Sequence, residues 1–249
     1  MTRTILRGIA CAAVFAVCAS AQTSKSAEER TALEAVINAA TADARIAAVE
    51  NLIAKFADTE FKAWAYGVAG ETAAGKRDTG KATFYYEQAL KADPKAYNAM
   101  LMLAGMIAQT TKEFDLDKEE KLNKAENYVK EALALIPAAV KPNPNVPDAQ
   151  WEAVKKDDTA MAHVDLGIVA TVRKKFDVAI TEYKAAIESA ATPDPSHMVR
   201  LAGAYSDSGK PDDAIYVLDK VLATAELNPA IKQVAESEKS RAQKMKTAK

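Results

Sequence analysis

The sequence predicts an all-α protein, a solenoid of antiparallel helix hairpins, on three observations. Ala supplies much of a hydrophobic share of 49%, while aromatics contribute only 6% and Gly and Pro nine residues each. Val, Ile and Thr are scattered rather than run together, which favours helices over sheets. Finally, one pattern of small and large apolar residues recurs four times along the chain, and recurrence of that kind marks a repeat architecture.

The chain opens on "MTRTILRGIACAAVFAVCASAQ": Arg3 and Arg7, an apolar run from Ile9 to Val17, then Ala19-Ser20-Ala21. Basic residues, a short apolar core and small residues in that order read as an export signal cleaved near Ala21. The run is about half the roughly 20 apolar residues of a membrane-spanning helix. Residues 1–21 are therefore expected to be removed, leaving an exported chain, periplasmic or secreted, with no membrane span. Cys11 and Cys18 would leave with the signal, so core burial rather than disulfides must hold the mature chain. Loss of Arg3 and Arg7 takes the formal charge from −1 to −3, too small a balance to suggest nucleic-acid binding by charge.

Four segments carry the repeat: "KATFYYEQALKADP" from Lys81, "KAENYVKEALALIP" from Lys124, "DVAITEYKAAI" from Asp177 and "DDAIYVLDKVL" from Asp213. Each begins with an Ala (Ala82, Ala125, Ala179, Ala214). A larger residue follows four later (Tyr86, Val129, Tyr183, Leu218), and a third residue three beyond that (Ala89, Ala132, Ala186, Val221). Those offsets put all three on one helix face. A second amphipathic run precedes each segment, over about Phe61–Ala74, Lys95–Gln109, Thr159–Val172 and Pro195–Ser208. Asp93-Pro94, Asp194-Pro195 and Asn228-Pro229 supply a capping side chain followed by a proline, and Pro137 marks the remaining break.

With these residues the chain resembles the tetratricopeptide repeat proteins, of an exported bacterial type, over about Phe61 to Pro229. The resemblance rests on the small residue of the first helix (Gly70, Gly167, Ala202), the Ala opening the second, its aromatic or apolar partner, and the proline at the break. "LGIVATVRKKFDVAITEYKAAI" and "LAGAYSDSGKPDDAIYVLDKVL" match best; the middle of the chain is stretched by inserts near 110–123 and 138–157. The first insert should extend the second helix of its unit. In the other, Pro142, Pro144 and Pro147 read as an ordered loop, with Asp148 capping a helix through Trp151. Residues 22–60 read as a degenerate helical repeat, 61–227 as the repeats, and 228–249 as a polar capping helix with a basic tail.

Chemistry-bearing motifs are weak. Gly70–Lys76 and Gly75–Lys81 each spell G-x-x-x-x-G-K, but Arg77 and Ala82 stand where a phosphate loop needs Ser or Thr, and Gly209-Lys210 recurs in the matching turn of the last repeat. These are read as turn residues, with no nucleotide. "DLDKEE" (Asp115–Glu120) lacks the central Gly of a calcium loop and reads as a solvated helix start. His163 and His197 have no metal spacing, and neither a G-x-S-x-G nor a mature cysteine is present. No cofactor or metal is expected, and an enzyme would need a site assembled from residues such as Glu71, His163 and Asp165.

The resemblance implies a right-handed superhelix whose first helices line a concave groove. Carried over position by position, the groove-facing residues are Trp64, Gly67 and Glu71; Ala96, Ala99, Leu103 and Met106; Met161, Val164 and Ile168; Ser196 and Val199. The set is largely apolar and lacks the Lys, Arg and Asn with which related domains grip a terminal carboxylate. Met100, Met102 and Met106 share one helix; the first two read as core, while Met106 is left open between core and an adaptable surface. The implied function is a non-enzymatic scaffold or adaptor of the cell envelope that takes a peptide or protein segment in the groove. The alternative is a structural subunit docking through its convex face or the insert around Phe114–Leu122.

Overall fold

The computed structural model describes residues 24–141, 145–192 and 194–247. The expected signal, together with Pro142 and Pro144, lies outside these residues. Eleven α-helices follow one another among the described residues: α1 (Ala27–Asn38), α2 (Ala42–Lys55), α3 (Lys62–Gly75), α4 (Thr79–Ala92), α5 (Tyr97–Thr110), α6 (Lys118–Leu135), α7 (Asp148–Val172), α8 (Phe176–Ser189), α9 (Pro195–Asp207), α10 (Pro211–Leu222) and α11 (Pro229–Thr247). A 3₁₀ turn, Ile136–Ala138, follows α6. The fold is the expected all-α solenoid type, with helices packing in successive pairs, as in α1 on α2, α3 on α4 and α9 on α10.

Two compact units divide the chain. The first reaches to Met106 and includes Ala138–Trp151; the second comprises Ile107–Pro137 and the chain from Glu152 onward. In the first unit α1 is closed by reciprocal capping: Ser26 Oγ accepts from the Glu29 amide (3.0 Å) and Glu29 Oε2 accepts from the Lys25 amide (2.5 Å). The same Glu29 accepts from Thr59 Oγ1 at 2.5 Å, so this buried carboxylate ties α1 to the segment before α3. Second-unit helix α11 buries Ala235 and Ala242 and holds its neighbours through Ser206 to Glu238 (2.6 Å) and Arg241 to Asp207 (2.7 Å).

Two of the hairpins close on one contact. At Gly70 an added Cβ would lie 2.6 Å from Tyr86 Cε1, and at Gly167 it would lie 2.4 Å from Tyr183 Cε1. Real Cβ atoms do not approach so closely, so the tyrosine ring occupies the space a side chain would take. The α9–α10 hairpin has Ala202 and Leu218 at the equivalent positions in sequence, both fully buried.

Hairpin turns repeat as closely. Arg77, Lys174 and Gly209 each adopt the left-handed conformation, with φ of 61°, 58° and 74°. After each, an amide bonds back across the helix end, from Asp78 to Ala73 O (3.0 Å), Lys175 to Ala170 O (2.8 Å) and Lys210 to Tyr205 O (2.9 Å). Both phosphate-loop look-alikes start inside α3: Gly70 is helical and packed, and Gly75 is the last helical residue.

Two boundaries differ from expectation. Rather than starting near Thr159, α7 runs unbroken from Asp148, because Trp151 is buried and its indole donates to Ala139 O (3.1 Å), anchoring the early turns. Asp93 accepts from the Lys95 amide (2.8 Å) in a turn before α5 instead of capping that helix, which starts at Tyr97. Asp194 and Asn228 do cap, accepting from Ser196 (2.8 Å) and Ala230 (2.9 Å). No helix among the described residues is long and apolar enough to cross a membrane.

If the glycine–tyrosine contact closes the hairpins, Gly70→Ala and Gly167→Ala should each destabilise the protein by ~1–3 kcal/mol through overpacking, despite the better helix propensity of Ala. Gly67→Ala, where an added Cβ meets nothing within 4 Å, should be neutral or stabilising. Urea unfolding followed by circular dichroism reads all three.

Candidate protein-binding site

In the first unit, Trp64, Gly67 and Glu71 fall on one stripe of α3 and all are half-buried. Trp64 Nε1 is shielded from solvent with no hydrogen-bond partner, and Tyr86 Oη, on a side chain only 2% exposed, is in the same condition. Burial pushes the Glu71 carboxyl above the usual range, opposed by Arg45 of α2. Burial, and then the charge of Glu71, push the Tyr86 phenol up as well. Two unsatisfied donors and a poorly solvated carboxyl therefore lie around α3.

Helix α5 requires a correction. Leu103 is 0% exposed and Ala99 is buried, so neither is available to a partner; both are core, because α5 is apolar nearly all round and covered accordingly. Ala96 and Met106 are half-buried, as is Met102, while Met100 lies in the core.

Second-unit positions divide similarly. Met161, Ser196 and Val199 are half-buried, whereas Val164 and Ile168 are buried against the core and are corrected with Leu103. Between them sits Asp165, 3% exposed, with its Oδ2 unpartnered. Burial raises its carboxyl to about 7, with Arg200 of α9 pulling it down. Tyr183 shares this environment: its hydroxyl lies 3.2 Å from Thr171 Oγ1, and burial raises it while Thr171 and Arg200 pull it back. Asp165, Tyr183 and Arg200 thus bring a buried acid, a phenol and a guanidinium together from α7, α8 and α9.

Within the second unit, His163 and Asp165 of the trio an enzyme reading would require are not brought together. His163 Nδ1 is 2.8 Å from Glu182 Oε2, on a different side of α7 from Asp165, and Glu71 belongs to the other unit. Among the described residues no group of three His, Cys, Asp or Glu is placed to hold a metal ion.

Arg45, Arg200 and the two tyrosine hydroxyls were not legible as site residues. Tyr86 and Tyr183 carried one signal, since a tyrosine facing a glycine lays its hydroxyl against the first helix. Another was an Asp inside the apolar run "AMAHVDLGIVA". In the first insert, Phe114 is 87% exposed and Leu116 fully so. The loop that carries them is pinned: Asp115 Oδ2 accepts from the Lys112 amide (3.1 Å) and pairs with Lys121 (3.4 Å), and Lys174 pairs with Glu113 (2.5 Å). As expected, the insert leads into a lengthened second helix, α6, which opens on Glu119 and Glu120. An open depression on α6, lined by Glu120, Asn123, Lys124, Asn127, Tyr128 and Glu131, belongs to one helix surface and encloses nothing.

The Asp165 environment has a pH signature. Its folded pKa lies above the unfolded value near 3.8, so the native state holds the proton more tightly. The penalty is absent below about pH 4, grows as pH rises toward 7, and is complete above it. Asp165→Asn should therefore match wild type near pH 4 and exceed it by roughly 2–4 kcal/mol at pH 8, a difference that urea unfolding across that range would reveal.

The tetratricopeptide repeat family model matches residues 65–96, the α3–α4 hairpin and the turn after it. A thermophilic TPR protein of Thermus thermophilus superposes with a TM-score of 0.59 at 17% identity, over 84% of this chain and 98% of its own. The MamA protein (TM-score 0.47, 19% identity, 76% and 90% covered) is more distant in structure. So is a tetratricopeptide repeat protein from Parabacteroides merdae ATCC 43184 (0.44, 15%, 89% and 93%). No curated protein matches the chain. The chain carries a tetratricopeptide repeat at residues 65–96 and has the tetratricopeptide-like all-α solenoid fold.

Proposed function

We propose that this protein is a non-enzymatic scaffold of the cell envelope, exported by its first 21 residues, whose first-helix faces bind a segment of a partner protein. The observation that carries this reading is unspent capacity on those faces. Trp64, Gly67 and Glu71 in one unit, and Met161, Ser196 and Val199 in the other, are half-buried, so part of each surface is left uncovered by the neighbouring helices. Ala96 and Met106 extend the first set. A fold of stacked hairpins offers its surface for binding, and the described residues supply no assembled catalytic cluster to argue otherwise.

Docking through the first insert is the second reading, supported by Phe114 and Leu116 projecting from a pinned loop. The two are separated by affinity capture from an envelope fraction with mass spectrometry, using wild type, Trp64→Ala, Val199→Lys and the pair Phe114→Ser with Leu116→Ser. A specific partner should be lost or reduced at least about tenfold on one of the face changes and retained on the insert pair. The reverse pattern would overturn binding by the first-helix faces and favour the insert.

A further inference from the structure

Asp165 lies inside the apolar run "AMAHVDLGIVA" of α7, 3% exposed, and its Oδ2 has no hydrogen-bond partner. The hydroxyls of this region are already committed. Thr171 Oγ1 donates to Gly167 O at 2.8 Å, so in its 3.2 Å contact with Tyr183 the phenol is the donor. Neither keeps a proton for Asp165. Shifting α7 to bring the carboxyl into water is costly as well: two residues on, the Tyr183 ring fills the Cβ space of Gly167 and fixes α7 against α8. What remains is Arg200 of α9, an exposed residue whose charge acts on Asp165 and Tyr183 alike.

Two states follow from this arrangement. A protonated Asp165 is neutral, and the apolar site holds it with Arg200 in solvent. An ionised Asp165 is a buried carboxylate, which is expensive unless paired. An arginine side chain reorients by turning about single bonds, whereas a close-packed helix resists movement, so the guanidinium is the part that responds. Burial places the change of state at about pH 7, with Arg200 pulling it down. We propose that Asp165 and Arg200 form a proton-operated switch on the first-helix face of the second unit. With Asp165 neutral, the guanidinium stands in solvent one turn from Ser196; when Asp165 releases its proton to solvent, the guanidinium folds inward and pairs with Oδ2. The α9 face, on which Ser196 and Val199 are half-buried, thus presents a cation at mildly acidic pH and withdraws it at mildly alkaline pH. The consequence for a partner, a preference for anionic segments that fades as pH rises, rests on the reading of this face as a binding surface; the switch itself does not.

Imidazoles as a class change charge in the same pH range. Helices α7 and α9 carry one each: His163, bonded to Glu182 of α8 at 2.8 Å on another side of α7, and His197, one turn before Arg200. Asp165→Asn keeps both histidines and removes the switch, so it is the control. The intact protein is titrated by NMR between about pH 5 and pH 9, following the Asp165 carboxyl carbon and the Arg200 Nε–H signal, assigned with Asp165→Asn and Arg200→Gln. Both signals should titrate together with a midpoint of about 7, and the Arg200 change should vanish in Asp165→Asn. Arg200→Gln should raise the Asp165 midpoint by roughly one unit or more, because the ionised form loses its counter-charge. Reactivity of Arg200 toward phenylglyoxal is then read by peptide mass spectrometry as a ratio of wild type to Asp165→Asn. That ratio should be near one at about pH 6 and fall roughly fivefold or more at about pH 8.5. The proposal is overturned if the Arg200 signal and reactivity ignore the Asp165 titration, or change equally in Asp165→Asn. An Asp165 midpoint left in place by Arg200→Gln overturns it too, and decides alone should Asp165→Asn fail to fold. No partner enters the experiment, so the switch and the scaffold reading stand or fall separately.

Discussion

A tyrosine ring lying where a side chain would otherwise stand is the contact on which the rest of this structure depends. In α3–α4 and again in α7–α8, Gly70 and Gly167 surrender their Cβ positions to Tyr86 and Tyr183, bringing each pair of helices as close as backbone and ring allow. Dispersion and apolar burial are short-ranged, so a shift of even half an ångström at such a contact forfeits a good part of its attraction. Because each helix of a hairpin array packs on the next, an error in one hairpin is passed to its neighbours. The left-handed residues Arg77, Lys174 and Gly209 complete the constraint by returning the chain at the same point of each turn.

The same contact sets the polar character of the first-helix faces. A ring held against the first helix carries its hydroxyl there, next to carboxyls that the stack has taken out of water: Glu71 beside Tyr86 and Asp165 near Tyr183. An arginine from an adjacent helix tempers each carboxyl, Arg45 in the first unit and Arg200 in the second. The equivalent position of the α9–α10 hairpin holds Leu218, fully buried like Ala202, and brings no hydroxyl. The polar character of the two faces is thus a by-product of how their hairpins are closed.

Much of this was legible in the sequence because the determinants are local. Ala at a fixed offset from Tyr, Val or Leu wrote the second helices, and Asp194 and Asn228 wrote the starts of α9 and α11 through bonds to amides two residues ahead. Where the determinants are distant, legibility failed. The continuity of α7 depends on Trp151 reaching Ala139, which no helical periodicity reveals. Leu103 was misplaced because its groove position was carried over from the family resemblance, which does not say whether the other sides of this helix are also covered; "YNAMLMLAGMIAQT", apolar almost throughout, was the available warning. Unpartnered atoms at Trp64, Tyr86 and Asp165 were beyond reach, since they are defined by what fails to lie nearby in space.

The most direct test of the closing contact uses the pair found in the α9–α10 hairpin. Gly167→Ala and Tyr183→Leu, made singly and together, transplant the Ala202–Leu218 solution into α7–α8, and urea unfolding gives the coupling between the two sites. If ring and glycine are complementary, the methyl that clashes with the tyrosine fills space vacated for the leucine, and the double variant should be more stable than the sum of the single changes by ~1–2 kcal/mol. Simple additivity, within about 0.5 kcal/mol, would show that the ring and the glycine tolerate change independently and would contradict the role assigned to this contact.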